Sequence, residues 1–180
     1  KPAILFDRDG VIIEDCHYIS NPKNVKLLSG IKDLLTLSNK FGWFNIIITN
    51  QSGISRGFLN WEDYEKVTYK MLSLLDSCNH INGIYANSSL PSTNLPKDSW
   101  RKPNPNMIIQ AASDFNLDLN KSIIIGDRLT DLLAGYHAGI KHYVHVLTGH
   151  GENERKTVIN RFIKSFESKN LFLIDNLLDF

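Results

Sequence analysis

Cysteine is nearly absent: Cys16 and Cys78 are the only two in 180 residues. Two thiols cannot staple a chain of this length into a disulfide framework, so they read as inert thiols of a reducing compartment. Long apolar runs are missing too. FNIIIT and SIIIG are the longest, which is strand length and too short to span a bilayer. No secretory signal pattern follows Lys1, so a cytoplasmic protein is expected, and the lack of an initiator methionine suggests that residues precede it. Charge of one sign is not in excess either. A formal net charge of +1 gives no bulk electrostatic reason to expect nucleic acid or a membrane as partner. The six histidines are scattered and form neither HxxxH nor HExxH. There are no repeats, low-complexity tracts or linkers.

What is present has the balance of one globular domain spanning 1–180, with 42% hydrophobic and 22% charged residues. The pattern alternates. AILF (3–6), WFNIIIT (43–49), INGIYA (81–86), KSIIIG (121–126) and KHYVHVL (141–147) predict strands. SGIKDLLTLSNKFG, the stretch after Asn60, the stretch with Pro105 in its first turn, and RLTDLLAGYHAG predict helices. A helix, a short edge strand and a turn fill the tail TVINRFIKSFESKNLFLIDNLLDF (157–180), whose last residues, DNLLDF, read as an interrupted helix. Strands alternating with helices predict an α/β, Rossmann-like three-layer fold with a central parallel sheet. In such folds ligands bind beyond the carboxyl ends of the strands. DRDG, TNQSGISRG and GDRLTD all follow strands and converge there. So does 87–103, a stretch longer than an ordinary connection.

Asp7 and Asp9 are two residues apart on an extended backbone and should point the same way. Two carboxylates side by side call for a positive charge between them, and Mg²⁺ fits a few carboxylates plus phosphate. Asp7 is placed to be a nucleophile and Asp9 a general acid and base. A turn pair after a strand is the plainer alternative. Thr49, Asn50, Gln51 and Ser52 can cradle phosphate oxygens, or simply form a polar turn. Arg101 and Lys102 suit anions, or form a solvated basic pair. Asp127 reads as a metal ligand or a helix N-cap. Asp131, four residues on, bonds backbone groups or positions a water, possible support for the metal site from one layer out. TGHG (148–151) reads as a turn. His142 and His145, three apart on a strand, should face opposite ways. Arg8, Arg56, Arg101 and Arg128 lie at the active edge and favour an anionic substrate over a cationic one.

The order of these motifs resembles the haloacid dehalogenase-type phosphohydrolases. FDRDGVI, TNQSGISRG, RKPNP and GDRLTDLLAG are similar to a branch acting on heptose bisphosphates or histidinol phosphate, over residues 3 to 150. The resemblance implies no large cap domain, Asp7 as nucleophile, Asp9 as acid and base, and Mg²⁺ on Asp7, the Asp9 carbonyl and Asp127. It implies that Thr49 and Lys102 stabilise the transferring phosphoryl group and that Arg101, Arg128 and the flap Asp15–Tyr18 touch the sugar or its distal phosphate. His17 belongs to that flap. Many members of the branch carry zinc on a Cys/His set before the Arg-Lys pair. The matching places here are Asn87, Ser89, Asp98 and Trp100, so no structural zinc is expected. Pro91, Pro96 and a buried Trp100 should hold the loop instead. A phosphatase of a small phosphorylated sugar follows, as a monomer or small oligomer. Histidinol phosphate is the alternative substrate; a phospho-accepting module or a non-catalytic scaffold are the readings from other classes.

Overall fold

The computed structural model describes residues 1–76, 79–164 and 170–180. Cys78 therefore lies outside the described residues, while Cys16 is exposed. Six strands form one parallel sheet: β1 (Ala3–Phe6), β2 (Phe44–Asn50), β3 (Gly83–Asn87), β4 (Ile123–Gly126), β5 (His142–His145) and β6 (Leu171–Leu173), in the order β3-β2-β1-β4-β5-β6. The helices are α1 (Ile31–Lys40), α2 (Ser52–Ser55), α3 (Trp61–Leu74), α4 (Asn106–Phe115), α5 (Leu129–Ala138) and α6 (Gly151–Lys164).

Side-chain alternation sorts the strands into two cores. Ile4, Phe6, Ile47, Ile125 and Val144 pack with α1 and α3 on one face. Ala3, Leu5, Ile46, Ile48, Ile124 and Tyr143 pack with α4, α5 and α6 on the other. Both faces of β1 are buried, which is why AILF reads as an unbroken apolar run. Truncating Phe6, which is fully buried, would cost about 3–5 kcal/mol by opening a cavity in this layer.

Local chemistry sets the helix starts. Asn60 Oδ1 accepts the Asp63 N–H (2.9 Å) and Asp63 Oδ2 accepts the Asn60 N–H (3.0 Å), closing the N-terminus of α3. Pro105 sits one residue before α4 instead of inside its first turn. α6 begins at Gly151, so TGHG runs directly into a helix. The last residues form a single 3₁₀ turn, Leu177–Asp179, with Leu177 buried. Among the described residues no large cap domain interrupts the fold: the connections that leave β1 and β3 are loops with one 3₁₀ turn, Pro22–Asn24. No helix among the described residues is long and apolar enough to cross a membrane.

Candidate active site

Strand order reverses beside β1, since β2 and β4 flank it, and this is where a ligand crevice opens in such sheets. Asp7 extends the β1 ladder by donating its N–H to Ile125 O (3.1 Å). Its Oδ1 accepts from Lys102 Nζ (3.0 Å) and from the Arg8 N–H (2.8 Å). Among the described residues no hydrogen bond reaches Oδ2. Lys102 is buried and also reaches Asp131 Oδ1 (2.7 Å) and Ile48 O (2.8 Å). A side chain so committed needs its backbone fixed, and Asn50 does this. Its Oδ1 accepts the Lys102 N–H (3.1 Å) and its Nδ2 donates to Lys102 O (3.2 Å).

Asp127 follows β4. It is not a helix cap: Asp131 takes that place by accepting the Arg128 N–H (3.0 Å). Asp127 Oδ2 accepts the His150 N–H (2.6 Å), and its carbonyl accepts from His145 Nε2 (3.0 Å). Arg155 Nε donates to His145 Nδ1 (2.9 Å), so the His145 proton lies on Nε2, and burial pushes this imidazole's pKa down. Asp127 Oδ1 is buried with no hydrogen-bond partner. Asp7, Asp127 and Asp131 each place a carboxylate oxygen within 4.8 Å of the others. Burial, then Asp131 and Asp7, pushes Asp127 up to about 9; burial pushes Asp7 up to about 6 against the pull of Lys102. Three buried carboxylates face one lysine, and two of them, Asp7 and Asp127, each keep an oxygen without a hydrogen bond among the described residues. This donor set fits a hard divalent cation.

The space is made by two glycines. Gly10 has φ +82°, and a Cβ there would stand 2.7 Å from Asp127 Oδ2. Gly149, φ +60°, approaches the same oxygen, and Thr148 Oγ1 donates to Gly10 O (2.6 Å).

Asp9 lines the cavity as expected, but its positive partner is a neighbour in sequence. Arg8 is almost wholly buried, lies over the Tyr64 ring (5.0 Å) and grips both Asp9 oxygens, with NH2 at 3.0 Å from each. Gln51 Nε2 donates to Asp9 Oδ2 (2.7 Å) and to the Thr49 hydroxyl (2.9 Å). The Asp9 carboxylate therefore stands outside the Asp7–Asp127–Asp131 cluster. Arg8 is also removed from the set of arginines free to meet an anionic substrate. Thr49 is buried one layer beneath the cavity lining.

The cavity holds about 530 Å³. Its walls include Asn50, Gln51, Ser52, Asp15, His17 and Tyr18, all expected from sequence. Tyr18 stacks on Phe58 (centroids 4.8 Å apart). Arg56 and Arg128 are exposed and Arg101 half-buried at the rim. Burial, then the charges of Arg128 and Arg56, holds the Arg101 guanidinium below its usual pKa, so the three converge. Among the described residues none of them has a carboxylate partner; Arg101 NH1 donates to Ser89 O (2.6 Å).

The 87–100 loop is held differently from expectation. Trp100 is 38% exposed, with its ring 6.2 Å from Tyr85, and does not anchor by burial. Two asparagine side chains do the holding. Asn104 Nδ2 donates to Pro96 O (2.8 Å), and Asn106 Nδ2 donates to Lys97 O (2.7 Å) and Ser99 O (2.9 Å). Sequence reading also missed His150 as a cavity residue. The signal existed: TGHG follows the carboxyl end of a strand, as the three recognised motifs do, yet it carries no acid.

A HAD-hydrolase-like family profile matches residues 99–178. The D-glycero-beta-D-manno-heptose-1,7-bisphosphate 7-phosphatase of Helicobacter pylori J99 is 38% identical over 142 residues, 78% of this chain and 80% of its own. The D-glycero-alpha-D-manno-heptose-1,7-bisphosphate 7-phosphatase of Burkholderia mallei is 34% identical over 143 residues, 77% and 76% of the two chains. The crystal structure of D,D-heptose 1,7-bisphosphate phosphatase from B. bronchiseptica, complexed with magnesium and phosphate, superposes with a TM-score of 0.80 at 26% identity, covering 98% of this chain and 94% of that one. The chain belongs to the haloacid dehalogenase-like phosphatases, in the group of the heptose bisphosphate phosphatases.

Proposed function

We propose that this chain is a Mg²⁺-dependent phosphatase that removes one phosphate from D-glycero-D-manno-heptose 1,7-bisphosphate through an aspartyl-phosphate on Asp7. The carrying observation is the polarity of the cavity. A buried floor of Asp7, Asp131 and Lys102, with Asp127 clustered behind it, faces a rim of Arg56, Arg101 and Arg128 that among the described residues lacks carboxylate partners. A substrate with a phosphate at each end matches both.

In this reading Asp7 attacks phosphorus in line with the leaving oxygen. Asp9 gives that oxygen its proton, then takes one from the water that hydrolyses the acyl phosphate. Lys102 neutralises the transferring phosphoryl group, and Asp131 and Asn50 hold Lys102 in place. The Thr49 hydroxyl accepts from Gln51, so its own proton remains to donate. Asp7, Asp127 and the Asp9 carbonyl would hold Mg²⁺, which when bound supplies positive charge to the phosphoryl oxygens. Asn50, Gln51 and Ser52 line the phosphate end, and Asp15, His17 and Tyr18 the sugar. We place the protein in the cytoplasm as one catalytic domain, a monomer or small oligomer, with a sugar phosphate and neither nucleic acid nor membrane as its partner.

The test is phosphate release with Mg²⁺ from both anomers of the bisphosphate, histidinol phosphate and sugar monophosphates. The bisphosphate is expected to lead in kcat/KM, and Arg101→Ala to raise its KM by roughly 10–100-fold, the worth of a charge-assisted contact, with little change for monophosphates. A lead for histidinol phosphate would overturn the substrate assignment.

The carboxyl cluster also sets a pH dependence. Asp7 and Asp127 are raised from 3.8 to about 6 and about 9. The folded protein therefore keeps protons that the unfolded chain releases. Their contribution to metal-free stability is full below about pH 4 and is lost as pH rises past 6 and then 9. Mg²⁺ opposes that loss. The gain in Tm on adding Mg²⁺ is expected to grow from acid to alkaline pH; a gain that does not change with pH would argue against cation binding at these carboxylates.

A further inference from the structure

The cavity mouth carries a second cluster of metal-type donors, which takes no part in the phosphoryl transfer itself; two of its residues, Asp15 and His17, line the sugar end of the site proposed above. Asp15 and His17 lie on the flap after β1, and His150 on the loop after β5. His150 Nε2 stands 2.9 Å from Asp15 Oδ2, and His17 Nδ1 stands 3.8 Å from Asp15 Oδ1. One donor atom from each of the three falls within 4.8 Å of the others. We propose that Asp15, His17 and His150 form a second divalent-cation site, selective for a transition ion such as Zn²⁺, which pins the flap across the cavity mouth when filled.

The geometry is close to what such an ion needs. Bonds of ~2.0–2.1 Å in a tetrahedron put neighbouring donors about 3.3 Å apart. The Asp15–His150 pair is slightly inside that spacing and the Asp15–His17 pair slightly outside. Asp15 and His150 are already largely enclosed, at 16% and 28% side-chain exposure, while His17, at 82%, is free to swing the remaining distance. The His17 backbone N–H donates to Asp15 Oδ1 (3.0 Å), which fixes the flap backbone beside Asp15. Among the described residues Asp15 has no lysine or arginine partner, and the two imidazoles are its only basic neighbours.

The donor set separates this site from the floor of the cavity. Two imidazoles and one carboxylate favour Zn²⁺, Ni²⁺ or Cu²⁺, whereas the all-carboxylate cluster of Asp7, Asp127 and Asp131 favours Mg²⁺. Three protein ligands leave a fourth position open, unlike a closed structural zinc site, and all three residues line the cavity. An ion here would tie two loops 133 or more residues apart and narrow the path of the sugar. His150 also gives its backbone N–H to Asp127, so both sites share one loop. The effect of filling the outer site is slower exchange of substrate, seen as inhibition by micromolar transition metal in the presence of Mg²⁺.

Co²⁺ is the probe, because its visible absorption reports imidazole ligation. The full chain, saturated with Mg²⁺, is titrated with Co²⁺ and followed by absorbance. One Co²⁺ per chain with a visible band, displaced by Zn²⁺, is expected. His17→Ala and His150→Ala should each weaken binding by about tenfold or more. Asp127→Asn should keep the band, since it damages only the inner site. Circular dichroism checks each fold; His17 is exposed and the His150 backbone donor survives the change. Absence of a band, a band that persists in the double histidine variant, or one lost with Asp127→Asn would overturn the proposal and leave the three residues as a simple ion-paired mouth.

Discussion

Asp7→Asn is expected to lower kcat by on the order of 10⁴-fold or more while the protein stays folded. The reasoning is local. Asp7 is the carboxylate at the end of β1, held by Lys102 (3.0 Å) and by the Arg8 N–H (2.8 Å) on one oxygen. An asparagine oxygen can accept both of those bonds, so the geometry around Lys102 survives. The amide nitrogen that replaces Oδ2 is no nucleophile, and no neighbouring side chain can supply one in the same place. Asp9 cannot substitute, because Arg8 and Gln51 draw its carboxylate out of the Asp7–Asp127–Asp131 cluster. The substitution also removes one of three mutually repelling buried carboxylates, so metal-free Tm should hold or rise. The readouts are single-turnover phosphate release and a thermal melt in chelator. Turnover within tenfold of the parent protein would rule out an acyl-phosphate on Asp7.

The second large effect is on stability. Lys102→Met is expected to destabilise the metal-free protein by about 3–5 kcal/mol, the cost of leaving buried charges without their partner. Lys102 is 2% exposed and touches both Asp7 and Asp131, so its removal strands two carboxylates that already crowd Asp127. Methionine keeps most of the volume, which separates the charge effect from a cavity effect. The destabilisation should shrink at low pH, where Asp7 and Asp127, with pKa values raised to about 6 and about 9, become neutral. It should shrink again with Mg²⁺. Denaturant melts across pH, with and without Mg²⁺, measure all three. A loss that is the same in every condition would mean that Lys102 acts by packing alone.

Much of this was legible before any fold was known, and for identifiable reasons. AILF, FNIIIT and SIIIG had to be strands because each is a short apolar run ended by turn chemistry, and a strand covered on both faces buries every residue. Asp7 and Asp127 meet because parallel strands deliver their carboxyl ends to one edge, and the long loop after β3 brings Lys102 to the same edge. Elements at a sequence boundary were less secure. Pro105 stands one residue before α4, and α6 begins at Gly151, six residues ahead of the Thr157 where the tail helix is expected, because a helix end depends on which groups cap it.

The sequence by itself determined the layers, the strand set, the edge where chemistry collects and the residues that populate it, since these follow from periodicity and from motif order. Only the tertiary structure decided the partners. Arg8 looked free for substrate, yet it turns inward onto Tyr64 and Asp9. Trp100 was expected to be buried, yet Asn104 and Asn106 fasten its loop through backbone carbonyls. His17 and His150 carry no common motif, and they meet over Asp15 because the loops after β1 and β5 close over the same end of the sheet. Side-chain direction in a loop is set by contacts from far along the chain, and a pattern of residue types does not encode those.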